Sequence, residues 1–297
     1  MKILVFGALN IDYTYSVDHF VQKGETISSS ELSVFSGGKG LNQAIAFSKA
    51  GANVYQAGCI GTDGKVLLST LEEAGVNTSY VHVSQEYRSG NAIIQNDKEG
   101  DNCIILYGGS NQEIKKEYVD EVLSHFAEGD YIVLQNEINE MSYIIERAKE
   151  VGMVVVLNPS PMDEKVFTFP LACVDYLILN EVEACQLLDI PSEDYNEGEI
   201  LVSLHEKFPN MKIVLTLGSL GSRYLDNEET VNQSCYKVKA VDTTAAGDTY
   251  TGYFIASVIQ NKSVKEAMDI ASKASAIAVG RKGASSSIPT YNEVIRS

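Results

Sequence analysis

The sequence predicts a layered α/β fold carrying a second, smaller β sheet, and three observations lead there. Short apolar runs rich in β-branched residues alternate with stretches of helical periodicity through most of the 297 residues. The apolar runs are continuous, as in strands covered on both faces, which points to a mostly parallel sheet between helix layers. Two stretches, 11–35 and 89–107, instead alternate polar and apolar residues without a helical period, as strands with one wet face do.

The elements follow in chain order. Residues 2–6 are predicted as a first buried strand, too short in its apolar part for a signal peptide. Further strands are predicted at 54–57, 131–134, 153–157, 176–179 and 213–217. Helices are predicted at 41–50, 65–74, 116–126, 141–151, 181–188, 247–259 and 264–279. The stretches at 11–35 and 89–107, the latter turning at 96–101, are expected to form antiparallel strands. They would make a lid able to close over a substrate; an edge extension used for oligomer contact is the other reading. Residues 1–297 are read as one domain with the lid inside it.

Composition narrows the function classes. Hydrophobic residues make up 44% and charged residues 21%, an ordinary globular balance. No apolar run reaches the roughly 18 residues that suggest a membrane span. A net charge of −17 disfavours nucleic acid and anionic membranes as partners. A site for a phosphate-bearing ligand must therefore be local, built from backbone N–H groups, a metal and a few cations. The five cysteines show no CxxC spacing, against both a disulfide framework and structural zinc, so a reducing cytoplasm is expected. The four histidines are scattered without metal spacing, and Gly58–Gly64 reads as a plain strand-to-helix turn.

Two motifs carry the chemistry. Ser36-Gly37-Gly38-Lys39-Gly40-Leu41-Asn42-Gln43-Ala44 sets three glycines beside a lysine at a helix start, where backbone can approach a ligand closely. It is neither a Walker A loop nor GxGxxG; a glycine turn capping a helix is the plain alternative. In Val241–Gly252, the small residues Ala245, Ala246 and Gly247 lead into a helix beginning near Asp248. Their N–H groups can converge on an anion with help from the helix dipole. Asp248 would then serve as base for an attacking hydroxyl, the arrangement phosphoryl transfer requires. A helix-capping Asp is the simpler reading, but it leaves the small-residue run and Asp242 unexplained.

Together, GGKGLNQA at 37–44 and DTTAAGDTY at 242–250 make the sequence resemble the ribokinase family of carbohydrate kinases, also called the PfkB family. The likeness extends over nearly the whole chain. It implies a ribokinase-like layered α/β/α domain with a mostly parallel central sheet and a small β-sheet lid. It also implies an ATP-dependent kinase acting on a sugar hydroxyl. By resemblance, Asn10, Asp12, Gly38, Lys39 and Asn42 line the sugar pocket. Glu137 joins them at a strand end where Asn136 replaces a more usual apolar residue. Asn180 and Glu183 match an N-x-x-E that acts near the phosphates and Mg²⁺, and Thr216, Gly218 and Gly221 match nucleotide contacts. The tail at 278–289 is similar to that of the family's ribokinases. There a monovalent cation, usually K⁺, is held at positions matching Asp242, Thr244, Ala278, Arg281, Gly283 and Ser287. A flexible basic loop touching phosphate through Arg281 or Lys282 is the alternative.

The expected reaction is direct transfer from ATP to a primary sugar hydroxyl. Asp248 would be the base, and the N–H groups of Ala245, Ala246, Gly247 and Asp248 the anion hole. D-ribose, giving ribose 5-phosphate, is the leading substrate. The rivals are a nucleoside kinase, with Tyr13 and Tyr15 stacking a base, and a kinase for an acidic sugar met by Arg88. A sugar sensor without catalysis and a Rossmann-type oxidoreductase are readings from other classes, disfavoured by the intact Asp248, Asn180 and Glu183 and by the missing GxGxxG. The resemblance also allows a homodimer through the lid.

Overall fold

Runs of Val, Ile and Leu bounded by turn residues form the strands, and the computed structural model describes residues 1–99, 101–191 and 196–297. Gly100, in the turn expected at 96–101, lies outside the described residues. The strands are β1 (Ile3–Phe6), β2 (Asn10–Ser16), β3 (Glu31–Gly37), β4 (Val54–Gly61), β5 (Asn77–Ser84), β6 (Gly90–Asn96), β7 (Asn102–Tyr107), β8 (Tyr131–Gln135), β9 (Val154–Asn158), β10 (Tyr176–Asn180), β11 (Lys212–Thr216), β12 (Ser222–Leu225) and β13 (Thr230–Gln233). The helices are α1 (Lys39–Lys49), α2 (Lys65–Glu73), α3 (Lys116–Leu123), α4 (Met141–Val151), α5 (Glu181–Leu188), α6 (Glu197–Lys207), α7 (Ala246–Ile259), α8 (Val264–Val279) and α9 (Tyr291–Arg296).

Nine strands form one sheet in the order β13-β12-β11-β10-β9-β8-β1-β4-β5. Neighbours are parallel from β5 through β11, and β12 and β13 add antiparallel pairs at one edge. Alternate residues of one strand feed two different cores. Ile3 and Val5 of β1 join α1, α2, α7 and α8, whereas Leu4 and Phe6 join α3, α4, α5 and α6. The same split recurs at Tyr131 and Val133 against Ile132 and Leu134. This double covering is why the runs are continuous in sequence. Each such side chain contributes about 1.5–3 kcal/mol by burial.

β3, β2, β6 and β7 form a separate four-stranded sheet. Its outer pairs, β2–β3 and β6–β7, are antiparallel as expected, but β2 and β6 at its centre run parallel. Topology explains the difference. β2 follows β1 and β6 follows β5, and both leave the carboxyl ends of parallel strands of the large sheet. Elements without a predicted counterpart are β5, β12, β13, α6 and α9. The edge strand β5 is largely half-exposed and the helix α9 has six residues, so neither carries a clear period. Among the described residues no helix is long and apolar enough to cross a membrane, and all five cysteines are free.

Candidate active site

The carboxyl ends of the parallel strands deliver polar residues to one place: Gln135 from β8, Asn158 from β9, Asn180 from β10 and Thr216 from β11. In open α/β sheets this rim is where ligands bind. A cavity of about 200 Å³ opens there. Its lining includes Lys39, Asn158, Asn180, Glu183, Thr216 and the Ala245–Asp248 turn.

The glycine-rich segment brings α1 onto β1. Gly38 takes φ +92°, and a Cβ on it would lie 2.7 Å from the carbonyl oxygen of Ala8. A Cβ on Gly40 would meet Gly7 C at 2.5 Å and Ala8 N at 2.7 Å, all backbone that cannot yield. Only glycine allows that approach. It brings the Lys39 N–H to Glu137, whose Oε2 accepts it at 2.8 Å. A carboxylate is thus supplied to the amino end of α1 from β8's far side, which the helix dipole favours.

Asp248 sits in the first turn of α7 and is 6% exposed. Asn42 Nδ2 donates to its Oδ2 at 3.2 Å and Gln43 Nε2 to its Oδ1 at 2.9 Å. The two sequence motifs, about 200 residues apart, therefore meet directly. A Cβ on Gly252 would lie 2.4 Å from Ala46 Cβ, so that glycine lets α7 cross α1 closely enough for the contact. Ala245 opens α7 at φ 60°, and Ala246 N donates to Thr243 O at 3.2 Å. The expected anion hole is therefore narrower than the four N–H groups read from sequence. The N–H groups of Ala245, Gly247 and Asp248 have no acceptor among the described residues, the normal condition of a helix start.

Lys39 lies among three carboxylates. Desolvation would lower the pKa of its ammonium, but Asp248, Glu137 and Glu183 outweigh that and raise it. Burial pushes Glu137 up; Lys39 and its N–H oppose this, and Asp248 adds to it. Asp12, on β2, is pushed up to about 7 by burial and by the charge of Glu137. Asn10 is 7% exposed, and its Oδ1 accepts from Asn111 Nδ2 at 2.8 Å. Asn136 Nδ2 bonds Pro161 O at 2.7 Å and Asp163 Oδ1 at 2.9 Å, so an amide there anchors a loop beside the site.

Asn180 and Glu183 form the capping box of α5, with Asn180 Oδ1 accepting from Glu183 N and Glu183 Oε2 from Asn180 N. Thr216 lies opposite Asn180 on β11. Gly218 and Gly221 flank the short turn after β11, outside the cavity lining. In the carboxyl-terminal loop, Asp242 accepts from Thr244 N at 2.9 Å and from Gly283 N at 3.0 Å. Burial opposes ionisation of Asp242, but those donors and Lys282 hold its carboxyl below the usual range. Ala278 O accepts from Arg281 N, and the Arg281 guanidinium pairs with Glu293 at 2.6 Å. The buried Ser287 hydroxyl donates to Ala284 O.

Two expectations shift. Tyr13 and Tyr15 alternate with Asp12 along β2 and so project from the opposite face; Tyr13 packs against the large core. Arg88 pairs with Asp63 at 3.1 Å with its side chain 78% exposed, and it does not line the cavity. Sequence reasoning missed Gln43, Gln135 and Asn111. Each is a buried amide whose part in the site shows only in its tertiary partners.

A family model described as pfkB family carbohydrate kinase matches residues 1–291. The ribokinase of Haemophilus influenzae is 32% identical over 297 residues, covering 99% of this chain and 97% of its own. The structure of the Cryptococcus neoformans ribokinase in complex with ADP aligns with a TM-score of 0.86 at 32% identity, covering 99% of both chains. The Arabidopsis thaliana ribokinase complexed with ribose and ATP aligns with a TM-score of 0.87 at 28% identity, covering 99% of this chain and 97% of that one.

Proposed function

The chain belongs to the pfkB family of carbohydrate kinases, phosphotransferases acting on sugar hydroxyls, and from that membership and the setting of Asp248 we propose that it passes the γ-phosphoryl group of ATP to a primary hydroxyl of D-ribose. The observation that carries this reading is the contact of Asn42 and Gln43 with Asp248 beside the unpartnered N–H groups of α7. Asp248 takes the hydroxyl proton as that oxygen attacks the γ-phosphorus. The bond to the bridging oxygen breaks, and ADP leaves with the electron pair. The Ala245, Gly247 and Asp248 N–H groups and the α7 dipole balance charge on the transferring group. Lys39 adds a cation between the two substrates. Asn10, Asp12, Gly38, Asn42 and Glu137 hold the sugar, while Asn180, Glu183, Thr216, Gly218 and Gly221 serve the nucleotide.

The residues present fit two ions. Among the described residues no three His, Cys, Asp or Glu side chains converge into a cage, and Glu183 spends one oxygen on its capping box. One free carboxylate oxygen suits Mg²⁺, which keeps water and phosphate ligands; bound there, it would neutralise phosphate charge. Asp242 has amide donors but no cation at ion-pair distance among the described residues. Hydrogen bonds from Gly283 N to Asp242 and from Asp242 N to Val279 O join this segment to the carboxyl-terminal loop; with the carbonyls of Thr244, Ala278 and Gly283 and the hydroxyl of Ser287 as further oxygens, Asp242 suits K⁺, with Arg281 flanking the loop.

A coupled ADP assay with ribose, 2-deoxyribose, fructose, adenosine and a 2-keto sugar acid, with and without K⁺, tests the substrate. Ribose is expected to give the highest kcat/KM. A nucleoside preferred over every free sugar would overturn the assignment.

The raised pKa of Asp12 yields a pH dependence. Below about 7 the free enzyme carries Asp12 protonated, and above it the ionised carboxylate accepts sugar hydroxyls more strongly. The sugar KM is therefore expected to fall as pH rises through that value. Asp12→Asn should abolish the dependence. Glu137→Gln should move its midpoint lower, because a like charge is removed. A flat wild-type profile would count against this role.

The small sheet would act as the lid, excluding water from the transfer, and as a contact between two copies in the cytoplasm. Supporting this is an apolar row on one face of the sheet, in which Val34, Ile93 and Ile105 are 52%, 40% and 59% exposed. Ile105→Lys is expected to yield monomers in sedimentation; an unchanged species would remove this surface from consideration.

A further inference from the structure

The geometry points to Gln43 and Gln135 as positioning residues of the transfer step, forming a one-way amide relay that fixes the Asp248 carboxylate from behind. This rests on the reading of Asp248 as the base. Gln43 and Gln135 are both fully buried, and neither lines the cavity. Gln135 Nε2 donates to Gln43 Oε1 at 2.7 Å, and Gln43 Nε2 donates to Asp248 Oδ1 at 2.9 Å. The second hydrogen of Gln43 Nε2 reaches Asn158 Oδ1 at 3.4 Å, and Asn158 Nδ2 donates to Ile178 O at 2.8 Å.

The direction of this chain follows from its end. A carboxylate only accepts, so Gln43 must turn its NH₂ toward Asp248 and its carbonyl toward Gln135. Gln135 must then present its NH₂, which leaves its own carbonyl without a partner. Gln135 Oε1 is indeed buried without a hydrogen bond among the described residues. Burying an unsatisfied carbonyl is unfavourable, and an apolar side chain at 135 would only move that cost to Gln43 Oε1, which would lose its donor. The fold therefore carries one buried unsatisfied carbonyl either way, and the glutamine at 135 adds orientation. The relay holds Asp248 through uncharged donors on α1, so its charge is oriented without being neutralised by an ion pair.

The test compares stability with rate. For Gln135→Met, which exchanges one buried unsatisfied carbonyl for another, kcat with ATP and D-ribose is expected to fall about 10- to 100-fold, with an unchanged KM for ATP and a Tm near wild type. A merely structural glutamine would lose Tm and rate together. Gln43→Glu is the second variant, nearly isosteric with the original. A like charge facing Asp248 should move the acid limb of the kcat profile up by about one pH unit or more. Wild-type kcat in Gln135→Met, a loss that only tracks Tm, or an unmoved limb in Gln43→Glu each overturns the relay. Asp248→Asn run in parallel separates the two readings: if it turns over normally the base assignment fails, and if it is inactive while both glutamine variants behave as wild type only the relay fails.

Discussion

Replacing Asp248 with Asn is expected to lower kcat by about two to four orders of magnitude while the KM for ATP stays near its original value. Asn matches Asp in shape, so α7 and its crossing with α1 should persist. The amide cannot take a proton, and it sets an NH₂ against one of the two donors, Asn42 Nδ2 or Gln43 Nε2, that now satisfy the carboxylate. ATP affinity should be spared because the Asn180–Glu183 box and Thr216 lie on β10, α5 and β11. Steady-state kinetics on both substrates decide the matter. Turnover within a few-fold of wild type would remove Asp248 from the mechanism.

Lys39→Met is expected to reduce kcat/KM for the sugar by about 10²- to 10³-fold, the cost of deleting one stabilising charge at a transferring group. Lys39 is the cation that Asp248, Glu137 and Glu183 share. Without it Glu137, whose ionisation Lys39 favours against burial, becomes harder to ionise. The acid limb of the rate profile should therefore move to higher pH as well. Lys39→Arg should restore little, since a planar guanidinium does not occupy the place of a compact ammonium. A Met variant with normal kcat/KM and an unmoved limb would show that the charge is dispensable.

Much of this architecture was legible in the residues. The continuous runs at β1, β8, β9, β10 and β11 announced strands covered on both faces, and their alternate residues do feed two cores. The glycines at 37, 38 and 40 announced a close backbone approach, realised against β1 and Asp12. The parallel pairing of β2 with β6 was not legible, because it depends on where β1 and β5 end in space. Nor was the internal use of the Ala246 N–H, since Thr243 O takes that donor only once the turn closes. The face of the β2 tyrosines, by contrast, follows from their alternation with Asp12 along one strand.

By itself the sequence determined which segments pack and where backbones approach closely, because apolar periodicity and glycine placement act locally along the chain. Tertiary structure alone decided which amide meets Asp248, which carboxylates surround Lys39 and how far Asp12 is shifted. Those are contacts between groups as far apart in sequence as Lys39 and Glu137, 98 positions, or Asn42 and Asp248, 206 positions. Electrostatic and hydrogen-bond energies depend on distance in space and on burial, neither of which is written in the order of residues.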